Sequence, residues 1–230
     1  MPYGLAIGSF TAFGIITFVF GIANFEALKQ GKLSVVEVVL EVELPVAIVL
    51  GLVLLQEKIS LLQLGLMGVI FVGVALVAMR SYPPHLTGRF EKGVALALVT
   101  AVGLGVIDYL TAHASRSFSP LLAIWVPWTI FTLLCFFVIA RREGLDRFVQ
   151  QGRRFPKLII ATGLIDMFAW VFYAFALHGK ELAVTTAITE SYPAIALLLG
   201  VWINREWVRK HQYVGVGLAL TASVILAFVN

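Results

Sequence analysis

Long apolar runs separated by short polar stretches divide the chain. Eight of them, residues 5–25, 33–55, 60–79, 93–112, 120–140, 157–177, 181–203 and 211–229, are long enough to cross a bilayer. As a helix, each reaches about 30 Å. The runs are continuous, whereas a membrane β-barrel would alternate with a period of two. The pattern therefore predicts an all-α polytopic membrane protein of eight transmembrane helices. The first run has neither a basic leading segment nor a clear small-residue cleavage site, so it reads as a membrane helix rather than a signal peptide.

The second run breaks the pattern. Within "VVEVVLEVELPVAIVLG", residues 35–51, stand Glu37, Glu41, Glu43 and Pro45. A carboxylate at the centre of a bilayer costs roughly 2.5–3.5 kcal/mol on insertion scales. Pro45 has no N–H and cannot bond the carbonyl of Glu41, four residues back. Pro193 stands in the same relation to Thr189, beside Glu190. Two membrane segments thus pair a weakened helical turn with a carboxylate. Broken backbone at that depth is tolerated where it is buried in protein or lines a cavity.

Composition agrees with the class: 60% of the 230 residues are hydrophobic and 13% charged, with a mean hydropathy of +0.96. The net charge of +4 carries no nucleic-acid signature, because its distribution follows the loops. Sorted by loop parity, 14 Lys and Arg fall on one side and 3 (Lys58, Arg116 and Lys180) on the other. Positive residues mark cytoplasmic loops. The basic loop at 141–157 is accordingly expected in the cytoplasm, with both termini on the opposite side. The single Cys135 has no partner for an internal disulfide.

An offset of 149 superposes residues 14–80 on 163–229 without gaps. The matches include Gly14/Gly163, Leu33/Leu182, Glu41/Glu190, Gly51/Gly200, Glu57/Glu206, Gln63/Gln212 and Gly68/Gly217. Span one maps to span six, two to seven and three to eight. A shift of five helices is odd, so the copies are expected in opposite orientations. Inverted repeats are typical of secondary transporters, with the substrate near midplane at the repeat interface. Spans four and five have no earlier counterparts, so the arithmetic describes 3 + 5 helices of a ten-helix plan.

The segments "LPVAIVLGLVLLQEKISLLQLGLMGVIFVGVAL" and "ESYPAIALLLGVWINREWVRKHQYVGVGLAL" resemble the C-terminal part of the EamA-like repeat of the drug/metabolite transporter superfamily. Each has a helix with an early Pro, small residues, a loop Glu and then a Gly-bearing helix. The resemblance implies two domains: residues 1–80 as a partial first repeat of three helices, and 90–230 as a complete second repeat of five. Carriers of this family usually keep their termini in the cytoplasm, opposite to the side the charge count assigns here.

Candidate site residues follow from polar groups inside spans. Glu41 and Glu190 lie about 12 Å into their spans at 1.5 Å per residue. Glu37 is one turn before Glu41, whereas Glu43, rotated about 200° along a continuous helix, would not share its face. Asp166, Trp170 and Tyr173 recur at helical spacing on span six; their repeat mates are Thr17, Gly21 and Asn24. Asp108, Thr189 and Tyr192 complete the set expected to bind substrate or protons. The sharpest expectation is that Glu190, with Asp166, carries protonation or cation binding, and that a cationic substrate displaces a proton there. Several other features read as structural. Trp125 and Trp128 suit an interfacial belt. Glu57 and Glu206 precede helix starts, where a carboxylate favours the macrodipole. Ser60 and Gln63 form a capping box. Gly65, Gly68, Gly73, Gly215 and Gly217 are expected to permit close helix packing.

The sequence offers no nucleophile–base pair, no metal-ligand spacing among His85, His113, His178 and His211, and no phosphate-binding glycine loop. No cofactor and no enzymatic activity are expected. The span interiors lack Lys and Arg, which disfavours strongly anionic cargo. The reading is a secondary carrier, in the exporting direction, of small amine, amino-acid-like or amphipathic metabolites, coupled to protons or another gradient, in the plasma membrane. Its partners would be the small-molecule substrate and the lipid bilayer, not nucleic acid. The alternative is a truncated or non-transporting subunit, completed by a homodimer or by a partner supplying the missing helices.

Overall fold

A computed structural model describes residues 3–30, 33–79, 92–142, 149–150, 152–205 and 207–229. Among the described residues, ten helices have defined bounds: α1 (Tyr3–Gln30), α2 (Leu33–Leu40), α3 (Glu43–Val53), α4 (Leu61–Ala78), α5 (Lys92–Ser117), α6 (Pro120–Arg142), α7 (Pro156–Gly179), α8 (Leu182–Thr189), α9 (Tyr192–Asn204) and α10 (Lys210–Val229). No strand occurs among the described residues. A helix answers its own backbone donors and acceptors, which the bilayer core requires. Seven helical segments are long and apolar enough to cross a membrane among the described residues. The eighth expected span, 33–55, is divided: α2 ends at Leu40, a turn occupies Glu41 and Val42, and α3 begins at Glu43. The segment 182–203 bends through a corresponding turn at Glu190 and Ser191.

The described chain forms two compact units, one from residues 1–19 and 110–179, the other from 20–109 and 180–230. In the first unit, α6 packs on α7, and Gly14 of α1 lies against Ile130. Ser115 Oγ donates to the Ala174 carbonyl at 2.7 Å, Arg116 Nε to that of Leu177 at 2.9 Å, and His178 Nδ1 to that of Ser115 at 2.8 Å. The ends of α5 and α7 are thereby tied together. The outward faces of α7 are apolar and exposed, as at Ile165 and Phe172, which suits contact with lipid.

The second unit has a core of Leu44, Met67, Ile70, Val74, Ala183, Val184, Ala187, Val216, Ala219 and Leu226, among others. Its tightest seam joins α4 to α10. A methyl at Gly73 would stand 2.7 Å from the Ala219 nitrogen and 2.8 Å from the Gly215 carbonyl oxygen, so the two backbones touch. Gly65, Gly68 and Gly217 do not take part, since an added methyl there would meet nothing within 4 Å. The expectation that all five glycines serve packing is corrected: three face outward. At the end of α4, Gln212 Nε2 donates to the Val77 carbonyl at 2.8 Å and His211 Nε2 to that of Met79 at 2.9 Å, answering acceptors the helix cannot satisfy itself.

Candidate functional site

Each break has a local cause. Glu41 N–H still bonds the Glu37 carbonyl at 3.3 Å, but Val42 N–H turns to Val39 at 3.1 Å, tightening the helix to three-residue spacing. Leu44 N–H then bonds the Glu41 carbonyl at 3.2 Å. Pro45 therefore does not leave that carbonyl without a partner, as helical geometry alone suggests. In the other copy Glu190 N–H bonds Thr186 at 2.8 Å and Ser191 N–H bonds Ile188 at 3.2 Å, the repeat mates of Glu41 with Glu37 and of Val42 with Val39. Pro193 lies at the very start of α9 and Pro45 within the first turn of α3. First-turn N–H groups have no intrahelical acceptor, so proline costs little there. This explains why the two breaks align although the prolines are offset by one residue.

Hydroxyls add further bonds to backbone carbonyls at the second break. Thr189 Oγ1 donates at 3.0–3.2 Å to the carbonyls of Thr186 and Thr185, and Ser191 Oγ donates at 2.7 Å to that of Ile188.

The breaks gather carboxyl groups within the second unit. Glu41 is 5% exposed and close enough to Glu190 and Glu37 to feel their charge. Glu43 shares a hydrogen bond with Asp108 of α5 and lies within electrostatic reach of Glu190 and Glu41. Asp108 also acts on Glu190. Two carboxyl groups can share a hydrogen bond only if one of them holds a proton. Tyr192 is reached by the charges of Glu190, Glu37, Glu41 and Glu43. Gly105 makes this approach possible: a methyl there would lie 2.6 Å from Val46 Cγ1 and 3.2 Å from the Glu43 carbonyl oxygen. Segments 33–55, 93–115 and 182–204 contain these five acids and no Lys or Arg.

Glu57 has a different task. Its carboxylate accepts from the Leu182 and Ala183 N–H groups at 2.6 and 3.2 Å, capping α8, the short helix that ends at Glu190. Gly51 leaves the room, since a methyl there would stand 2.6 Å from Glu57 Oε2. The capping role is the expected one, but the helix is not the one that follows Glu57 in sequence. Glu206 lies outside the described residues.

The family model for EamA-like transporters matches residues 91–228. The chain belongs to the EamA-like transporter family. It is thus an integral multi-pass membrane transporter of small molecules, from a family of non-enzymatic carriers. A solved crystal structure of a protein superposes on 100% of this chain and 79% of its own with a TM-score of 0.69 and 13% identity, a likeness of fold alone. A comparison with curated proteins finds no match.

The expected site residues of this EamA-like chain fall in both units. Glu41, Glu190, Asp108, Tyr192, Thr189 and Asn24 belong to the second. Asp166, Trp170 and Tyr173 belong to the first. There Tyr173 is buried, Trp170 half-buried and Asp166 exposed. Trp170 meets Tyr173 and Trp128 edge-on at 5.7 and 5.4 Å. Trp128 is therefore part of an edge-on aromatic cluster, while Trp125 remains 60% exposed, as an interfacial residue would be. Thr17 donates to its own helix, to the Phe13 carbonyl at 3.0 Å.

Two residues of the second unit escaped the sequence reading. Glu43 was set apart from Glu41 by helical rotation, and it joins the group by meeting Asp108 of α5 rather than by sharing Glu41's face. Thr100, 0% exposed on α5, carried no signal beyond being a hydroxyl in an apolar run.

Proposed function

We propose that this transporter is a secondary carrier of small amines, amino-acid-like or amphipathic cationic metabolites, exporting them across the plasma membrane in exchange for protons. The observation that carries the reading is the gathering of Glu37, Glu41, Glu43, Asp108 and Glu190 at two helix breaks, in segments without a basic residue. Such a cluster repels anions and favours a cation or a proton. Glu190 stands where α8 breaks, electrostatically linked to Asp108 and to Glu41, so a charge arriving at one group is felt at the others. A cationic substrate entering the cluster would displace a proton, and one site would couple the two fluxes.

The test is substrate-induced proton release from purified protein in detergent, with a panel of amines and amino acids. Wild type should release protons on binding. Glu190→Gln keeps size and hydrogen bonding but removes titration, and should release fewer. Equal release from both would remove Glu190 from the mechanism. Asp166→Asn is measured as an independent substitution in the other unit.

A further inference from the structure

Among the described residues of the second unit, Asn24 Oδ1, Glu41 Oε2 and Thr100 Oγ1 are buried without a hydrogen-bond partner. Glu41 and Thr100 are 5% and 0% exposed. Buried polar atoms in folded proteins nearly always find a partner, so three in one unit call for a physical reason.

Neighbouring contacts place the three at one level. Gly103 of α5 leaves room for the Phe20 ring of α1. Asn24 and Ala27 follow Phe20 on the same helix face, at i+4 and i+7. Ala27 packs in a cluster with Ala97 of α5 and Val36 of α2. The two contacts run in opposite senses along α1 and α5, so Thr100, midway between Ala97 and Gly103, comes to the level of Asn24. Val39 and Leu40 of α2 pack against the same cluster. Further along α5, Gly105 meets Val46 and the Glu43 carbonyl. Glu41 falls between those two contacts, at the level of Thr100.

We propose that Asn24, Glu41 and Thr100 form a subsite for a primary ammonium group. This rests on the carrier reading above and adds the class of headgroup carried. An amide oxygen, a carboxylate oxygen and a hydroxyl oxygen offer three acceptors with one formal negative charge. A primary ammonium has three N–H donors, no acceptor and one positive charge. A quaternary ammonium would leave all three oxygens unanswered. Hard metal cations such as calcium and magnesium gather six or more oxygens, twice the number gathered here. Glu37 and Glu190, which act on Glu41, deepen the negative potential around the headgroup. Selection by hydrogen bonding is steep, because an analogue that lacks the donor strands buried acceptors.

The test titrates the full-length protein in detergent, by calorimetry, with phenethylamine and its N-methyl, N,N-dimethyl and N,N,N-trimethyl derivatives. Affinity should fall along the series, by at least about tenfold from first to last. Asn24→Ala and Thr100→Val should shrink that ratio toward one, and Thr100→Ser should keep it. The series on wild type needs no variant, so the proposal stays testable if a substitution prevents folding. Equal affinity for the primary and trimethyl compounds overturns the subsite and leaves the amine-carrier reading standing. Binding of none of the four overturns both. Thermal stabilisation by sodium chloride over choline chloride that Asn24→Ala abolishes would assign the oxygens to a metal ion and overturn the ammonium proposal.

Discussion

Gln56 and Arg205 both hold left-handed backbone, with φ of 52° and 54°, and stand 149 residues apart. Each follows the helix that leaves a break and precedes a loop glutamate. For a residue with a Cβ that conformation costs roughly 1–2 kcal/mol. Gln56→Gly is therefore expected to unfold at the same temperature or higher, and Gln56→Ile at a lower one, in thermal scans of the purified protein. The backbone reversal at Gln56 delivers Glu57 to the start of α8. Its two bonds to Leu182 and Ala183 are charge-assisted, worth about 1.5–3 kcal/mol each. Glu57→Ala should lower the unfolding temperature clearly, and Glu57→Gln by less, because the amide retains one acceptor. Equal stability of wild type and Glu57→Ala would show that the cap contributes nothing.

At the scale of elements, close approach and open space separate glycines that look alike in the sequence. Gly73→Ala and Gly215→Ala should each destabilise by about 1–3 kcal/mol, because the methyl meets backbone of the facing helix, which cannot rotate away. Gly65→Ala, Gly68→Ala and Gly217→Ala should be neutral, or stabilising by about 0.5–1 kcal/mol, since they add helix propensity where nothing stands nearby. Detergent-solubilised melting curves of the five variants distinguish the sets, and similar losses in all five would contradict the packing of α4 on α10. The repeated capping arrangement belongs to this scale too. Gln63 accepts from Ser60 N–H at 2.8 Å, and Gln212 from Arg209 N–H at 3.1 Å, at the same offset of 149.

For the whole molecule, the charge count of 14 against 3 predicts that the loop at 141–157 faces the cytoplasm and both termini the other side. In a Cys135→Ala background, a cysteine placed at Gln150 should resist an impermeant thiol reagent in intact cells and react after lysis. Ready labelling from outside would reverse the assignment.

Helical spans were legible in the sequence because hydropathy is a local property: a run of apolar residues has few other ways to answer its backbone in lipid. The offset of 149 was equally legible, and it locates the corresponding turns at 41–42 and 190–191, the left-handed pair at 56 and 205, and the capping glutamines. Glu41 and Glu190 stood out because charge in an apolar run is costly wherever the run folds. Tertiary structure decided the rest. Helical rotation turns Glu43 away from Glu41, but the packing of α5 puts Asp108 where Glu43 points, so both carboxyl groups enter one electrostatic cluster. Leu182, the residue that Glu57 caps, lies 125 positions along the chain, beyond the reach of local pattern. Which glycines touch a neighbour, and which oxygens remain without donors, depend on the faces that packed helices present to one another. Sequence spacing sets the order of residues around each helix, but only packing selects the sector that is buried.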